Sequence, residues 1–422
     1  MTQITYPAMG EQLFKTVLPN GLTVMVLPRR GFSRKIAYFV TDFGAIHTEF
    51  TLDGKPMRVP DGVAHFLEHK MFDLPGRDVS AEFAALGASP NAFTSFDMTA
   101  YYFNCTDHFE ECLRLLLEFV STPYFTEESV AKEQGIIAQE IGMHVDNAYS
   151  RVFENLMGIS YRNHPVTVPI LGTVESIGKI TPQILYDCHR AFYTPSNMTL
   201  CVVGDVDPDT VAEIAMEITG HIEAPDVRCC RTWEEDMTCI VPYKEERMDI
   251  SVPTYQFGFK CEPVDNGEAS VVSEVVADLA AEVLFGESSE LYQKLYEQGL
   301  ISGTFGGGLE IIEGLSILMV YGDGKHFQRI KDAIIDQAKV IAEQGVSEEY
   351  FRRLKRSAMG RRLRSLDGFD TTCFRLCAYH MSGYDYLEFP NIYEKVQVSH
   401  VQEFLSRVIT EERCALSVIW PL

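Results

Sequence analysis

The chain closes both of its halves in the same way. In the first half, a helix over Gln183–Phe192, capped by Thr181 with Pro182 at its first position, turns through Tyr193–Asn197 into a strand over Met198–Val203. In the second half, a helix over Val401–Ile409, with Ser399 as its candidate N-cap, turns through Glu411-Glu412 into a strand over Cys414–Trp420. Two copies of one plan, each roughly 200 residues long, point to an internal duplication. The 422 residues also exceed what one ordinary core can organise. The expected division is a first domain over 1–222, a polar linker over 223–247 that contains Pro225 and Pro242, and a second domain over 248–422.

Only the first copy carries a recognisable chemical motif. Asp61–Phe72 reads DGVAHFLEHKMF, an apolar run without internal Gly or Pro, with Asp61 as the expected N-cap. In a helix His65 and His69 stand at i and i+4 on one face, with Glu68 beside them. Two imidazoles one turn apart can share a zinc ion, and a neighbouring carboxylate can hold a water next to it. The order H-x-x-E-H is that of inverted zinc-peptidase motifs. Packed core histidines would be the simpler reading, so a third ligand is required. It is found on the helix predicted downstream of Thr126, where Glu140 lies at the edge of an apolar stripe and Glu133 sits two turns earlier on the same face. The corresponding place in the second half, Ala280–Tyr292 (AAEVLFGESSELY), has no histidine.

Between these helices, Asn91–Phe96 and Thr99–Cys105 read as two strands. Either they are an ordinary strand pair, or one lies at a sheet edge where an extended peptide can add as a further strand. Cys373, Cys377 and His380 share a helical face but lack a complete ligand set, and they read as buried soft residues. Cys229-Cys230 has no partner spacing. The arginine-rich run from Arg352 to Arg364 reads as a solvated helix face. Gly306-Gly307-Gly308 lacks the Lys-Ser/Thr of a phosphate loop and reads as a strand bend.

The formal charge of −24 disfavours nucleic acid and anionic membranes as partners. No basic segment followed by an apolar run opens the sequence, no apolar run has membrane-spanning length, and the 11 cysteines show no disulfide-like spacing. A soluble cytoplasmic protein is expected.

Taken together, the pentad, the glutamate pair and the duplicated halves resemble the insulinase/pitrilysin family of zinc metallopeptidases. The resemblance spans nearly the whole chain and includes Asn91-Ala92-Phe93-Thr94, Leu171-Gly172-Thr173, and Pro195-Ser196-Asn197-Met198 ahead of Val203-Gly204-Asp205. It implies an α+β fold of two homologous domains, each a mainly antiparallel sheet covered by helices. It further implies zinc on His65, His69 and Glu140, Glu68 as general base, and Glu133 as the hydrogen-bond partner behind a ligand. Asn91, Ala92, Phe93 and Thr94 would bind the substrate backbone. The subfamily it resembles most is one associated with 5-aminopentanol modification of elongation factor P. One departure stands out: active members carry an Arg and a Tyr in the second half, where this chain has Tyr296 and Ser302. The family's architecture then implies a related subunit supplying that pair, or a homodimer, with peptides as substrate.

Overall fold

The computed structural model describes residues 1–229, 231–264 and 266–422, so Cys230 of the cysteine pair lies outside the described residues. The chain forms two compact units, each α+β. Neither is a contiguous block. The first consists of Met1–Ile141, Pro169–Cys230 and Leu363–Leu387, and the second of Gly142–Val168, Arg231–Arg362 and Glu388–Leu422.

The first unit is built on a seven-stranded sheet in the spatial order Thr2–Tyr6, Glu11–Val17, Thr23–Pro28, Met198–Gly204, Lys35–Thr41, Thr99–Cys105, Ser89–Thr94. Met198–Gly204 runs parallel to Thr23–Pro28, and every other pairing in the sheet is antiparallel. The central strands are buried on both faces, which explains their nearly unbroken apolar runs. The second unit has a five-stranded sheet in the order Tyr243–Met248, Cys414–Pro421, Thr254–Cys261, Leu315–Asp323, Gly306–Ile312. Its first pairing is parallel and the other three are antiparallel. That pattern matches the last five strands of the first sheet one for one. The duplication read from the order of elements is therefore a duplication of topology.

The contiguous domain boundaries do not delimit the packing units, because each half lends the other a helix. Ala148–Ser160, from the first half of the sequence, belongs to the second unit, where its Val152 packs with Ile419 of the strand Cys414–Pro421. Gly258 lets it approach, since a Cβ there would lie 3.3 Å from Leu156 and 2.5 Å from Ile317. Conversely, Phe369–Met381 belongs to the first unit, with Cys373 Sγ 3.8 Å from the Cys201 carbonyl oxygen. The expected linker also shrinks. Val227–Cys229 pairs with Glu49–Leu52, and Tyr243–Met248 is a sheet strand, because hydrogen-bonded backbone tolerates polar side chains on an exposed face.

The pentad helix spans Val63–Met71 and buries Phe66 and Leu67 completely, a contribution of about 1.5–3 kcal/mol for each side chain. Its N-cap is Gly62 rather than Asp61. Gly62 has φ 86°, and a Cβ there would sit 2.4 Å from the Leu171 carbonyl oxygen. Opposite it, Gly172 has φ 71°, and its Cβ would lie 2.5 Å from the Asp61 carbonyl oxygen. The Ser176 hydroxyl donates to that same Asp61 oxygen at 2.8 Å. The Leu171-Gly172-Thr173 turn thus seats the start of the pentad helix. Gly62→Ala is expected to destabilise the fold by about 2–4 kcal/mol, through the left-handed backbone and the clash together. An unchanged denaturation midpoint would show that the turn yields freely.

Candidate metal centre

One helical turn brings the His65 and His69 rings to 4.6 Å between centroids. His65 is 8% exposed, and Glu68 lies between the two histidines with 8% exposure as well. The helix Glu127–Val145 crosses their open side, held by its buried Val130, Ile137 and Ile141. It places Glu140 Oε1 3.6 Å from His65 Nε2 and Glu140 Oε2 3.5 Å from His69 Nε2. These separations are too long for good hydrogen bonds. They suit ligands around one ion, since two ligands at about 2.0–2.1 Å from a tetrahedral zinc lie about 3.4 Å apart. All three ligand atoms fall within 4.8 Å of one another. Two neutral imidazoles and one carboxylate form the donor set of catalytic zinc sites, so the residues present fit the metal.

Glu133, two turns before Glu140, stands behind His69, with Oε1 3.0 Å from Nδ1. A carboxylate only accepts, so Nδ1 carries the proton and Nε2 presents its lone pair toward Glu140. Burial alone pushes the His69 imidazolium down. The Glu133 hydrogen bond and the carboxylates of Glu68, Glu133 and Glu140 outweigh it, and the net direction is up. Glu68 faces a different balance. Burial raises its carboxyl above the usual range, Glu140 adds to this, and the Thr94 hydrogen bond and His69 only partly offset it. The Thr94 hydroxyl donates to Glu68 Oε2 at 2.6 Å. That contact gives Thr94 a side-chain task absent from the sequence reading, and no local pattern signals a bond across 26 residues.

The strand Ser89–Thr94 is the last of its sheet, and among the described residues no strand pairs with its outer side. Of the two readings left open for this strand pair, the edge position is the observed one. It begins and ends two residues earlier than expected, because Ser95 Oγ accepts from the backbone N–H groups of Asp97 and Met98 and forces a turn. Asn91 is exposed, and its Oδ1 accepts the Ala92 N–H at 2.9 Å.

The other candidates stay outside this centre. Cys373 and Cys377 are fully buried, and His380 Nδ1 lies 3.1 Å from Lys15 Nζ. In the arginine run, Arg362 departs from the expected solvated face: it is buried and pairs with Glu274 at 3.3 Å. Gly307 is not a bend but a close approach within a strand, where a Cβ would lie 2.3 Å from the Met319 carbonyl oxygen. Tyr296 and Ser302 belong to the second unit. Tyr296 is exposed and stacks on Tyr292, and the Ser302 hydroxyl bonds the Thr304 hydroxyl at 2.9 Å.

Residues 59–174, which include the pentad and both glutamates, match the family model described as insulinase (peptidase family M16). Residues 179–358 match the model described as the peptidase M16 inactive domain. An uncharacterized zinc protease of Bacillus subtilis, YmfH, is 34% identical over 99% of both chains. The beta subunit of the mitochondrial-processing peptidase of Caenorhabditis elegans is 27% identical over 50% of this chain and 45% of its own length. Among solved structures, an M16-like peptidase from Alicyclobacillus acidocaldarius superposes with a TM-score of 0.93 at 31% identity, covering 100% of both chains. Pitrilysin shares the fold, with a TM-score of 0.81 at 16% identity, over 99% of this chain and 46% of its own length.

Proposed function

This chain belongs to the insulinase family of peptidases, family M16, and on that premise we propose that it is a zinc-dependent endopeptidase acting on extended peptides or short unfolded protein segments. One observation carries the reading: two imidazole nitrogens and a carboxylate converge beside a second, buried carboxylate at the end of an open sheet edge. His65, His69 and Glu140 would hold the ion. When bound, it supplies Lewis acidity toward a water and the scissile carbonyl.

The chain's own residues do the rest. Glu68 accepts the proton of the attacking water and delivers it to the leaving amine, the double task of a general acid/base. Thr94 holds Glu68 in orientation, and Glu133 holds His69 in the tautomer that ligation needs. Asn91, Ala92, Phe93 and Thr94 offer backbone groups to a substrate strand.

Tyr296 and Ser302 leave this chain without the Arg and Tyr expected to stabilise the developing oxyanion, a loss worth a few kcal/mol. A related subunit that lacks the pentad but carries the pair would complete a two-subunit enzyme, with a homodimer as the simpler assembly. The cysteines among the described residues are free thiols, and no helix there is long and apolar enough to cross a membrane. A reducing cytoplasm suits both facts.

Peptide cleavage by this chain, with and without the related subunit, is the direct test. The subunit should raise the rate by roughly 10²-fold, chelation should abolish it and zinc should restore it. Equal cleavage before and after chelation would refute the metallopeptidase reading. The missing Arg/Tyr pair also favours a second reading, an assembly or maturation subunit tied to elongation factor P modification that holds zinc without cutting. Bound zinc without cleavage in either assembly would select it.

A further inference from the structure

The register of the edge strand sorts its side chains onto two faces. Ala92 lies opposite Tyr101 and Thr94 opposite Thr99, on the face where Thr94 reaches Glu68. Asn91 lies opposite Tyr102 and Phe93 opposite Ala100, on the other face. That outer face is aromatic. Tyr102 stacks on Tyr38 with centroids 4.4 Å apart, and the Phe93 ring lies 6.4 Å from Tyr102 and 5.8 Å from Phe374. Phe374 comes from the lent helix Phe369–Met381 and is 38% exposed, so the row of rings ends at solvent beside the open edge.

A peptide added along Ser89–Thr94 must obey the same alternation. Every second side chain points to the metal face, and the others point to this row of rings. The residue directly across from Phe93 would have its Cβ about 4.5–5.5 Å away, within reach of both rings. We propose that Phe93 and Phe374 form a shelf selecting an aromatic or large aliphatic side chain at one fixed position of an extended peptide, a position facing away from the metal ligands. The inference rests on the reading above only for the placement of the peptide along the edge strand. A carboxylate at that position would lose hydration against the two rings, so an acidic residue is the disfavoured choice.

Binding measured without turnover separates the shelf from the chemistry. The zinc-loaded full chain carrying Glu68→Gln is titrated with fluorescent extended peptides, in which Phe, Leu, Ala or Asp is scanned through each position. One position should prefer Phe and Leu over Asp by roughly tenfold. The preference should disappear when Phe374→Ala is added and survive Phe374→Leu. A preference that Phe374→Ala leaves intact, or the absence of any positional preference, overturns the shelf. Cleavage of the same peptides by the wild-type chain is scored separately. Shelf-dependent binding without cleavage would leave the shelf standing and refute the catalytic reading.

Discussion

Replacing Glu68 by Gln is expected to lower peptide cleavage by roughly 10²–10⁴-fold while zinc stays bound. The substitution keeps the size of the side chain and its ability to accept from the Thr94 hydroxyl, so the Glu68–Thr94 contact at 2.6 Å survives. What it removes is the capacity to take a proton. Glu68 is not among the three groups whose ligand atoms converge, so metal content should remain that of the wild type. Burial raises the Glu68 carboxyl in the metal-free chain, and a protonated carboxyl cannot act as base. The acid limb of the rate profile that reports this protonation should vanish with the substitution. Full activity in a zinc-loaded Glu68→Gln protein would remove this residue from the mechanism.

Zinc affinity should fall as pH falls, beginning above the ordinary imidazole range. His69 must lose a proton to ligate, and its neighbours hold that proton more firmly than solvent would. The sign follows from the raised value. In the metal-free fold, protonated His69 contributes stability below its unfolded value, and that contribution is lost as pH rises through its folded value. Metal binding gains over the same interval as the proton leaves. Glu133→Gln removes the anionic partner at 3.0 Å from Nδ1. At neutral pH it should weaken zinc by about 10–100-fold, and it should also shift the proton competition to lower pH. Competition with a fluorescent chelator across pH measures both effects. Identical pH profiles for the two proteins would mean that Glu133 does not act through His69.

Where the local pattern is strong, it specifies the ends of an element almost to the residue. The strand Thr99–Cys105 falls at its expected ends, and Lys35–Thr41 and the helix Phe109–Ser121 likewise stop where their apolar run and apolar stripe stop. The helix Ala148–Ser160 is obscured in the sequence because its apolar residues are interrupted by Arg151, Glu154 and Asn155. All three are bound to partners on the second unit: Arg151 and Asn155 reach Glu246, and Glu154 reaches His144. The strands Thr2–Tyr6 and Glu11–Val17, the sheet's edge strand and its neighbour, carry little apolar signal because both are largely half-exposed and polar. At the last helix, Gln397 rather than Ser399 is the cap, its backbone N–H donating to His400 Nδ1 at 3.2 Å. The Asp61 cap was displaced for a different reason: the Leu171-Gly172 turn occupies the space that only Gly62 leaves open.

The sequence by itself determined everything that follows from one helix. The i, i+4 histidines, the glutamate between them, and the two glutamates seven residues apart on a later helix are fixed by periodicity, whatever surrounds them. The tertiary structure decided which of those groups meet. Glu140 faces both imidazoles while Glu133 turns to the back of His69, and Thr94, from the edge strand, restrains Glu68. It also decided that Phe374, far along the chain, lies beside Phe93. Spacing along a helix is a local property of the backbone, whereas contacts between elements depend on how apolar faces distribute over two sheets that exchange helices.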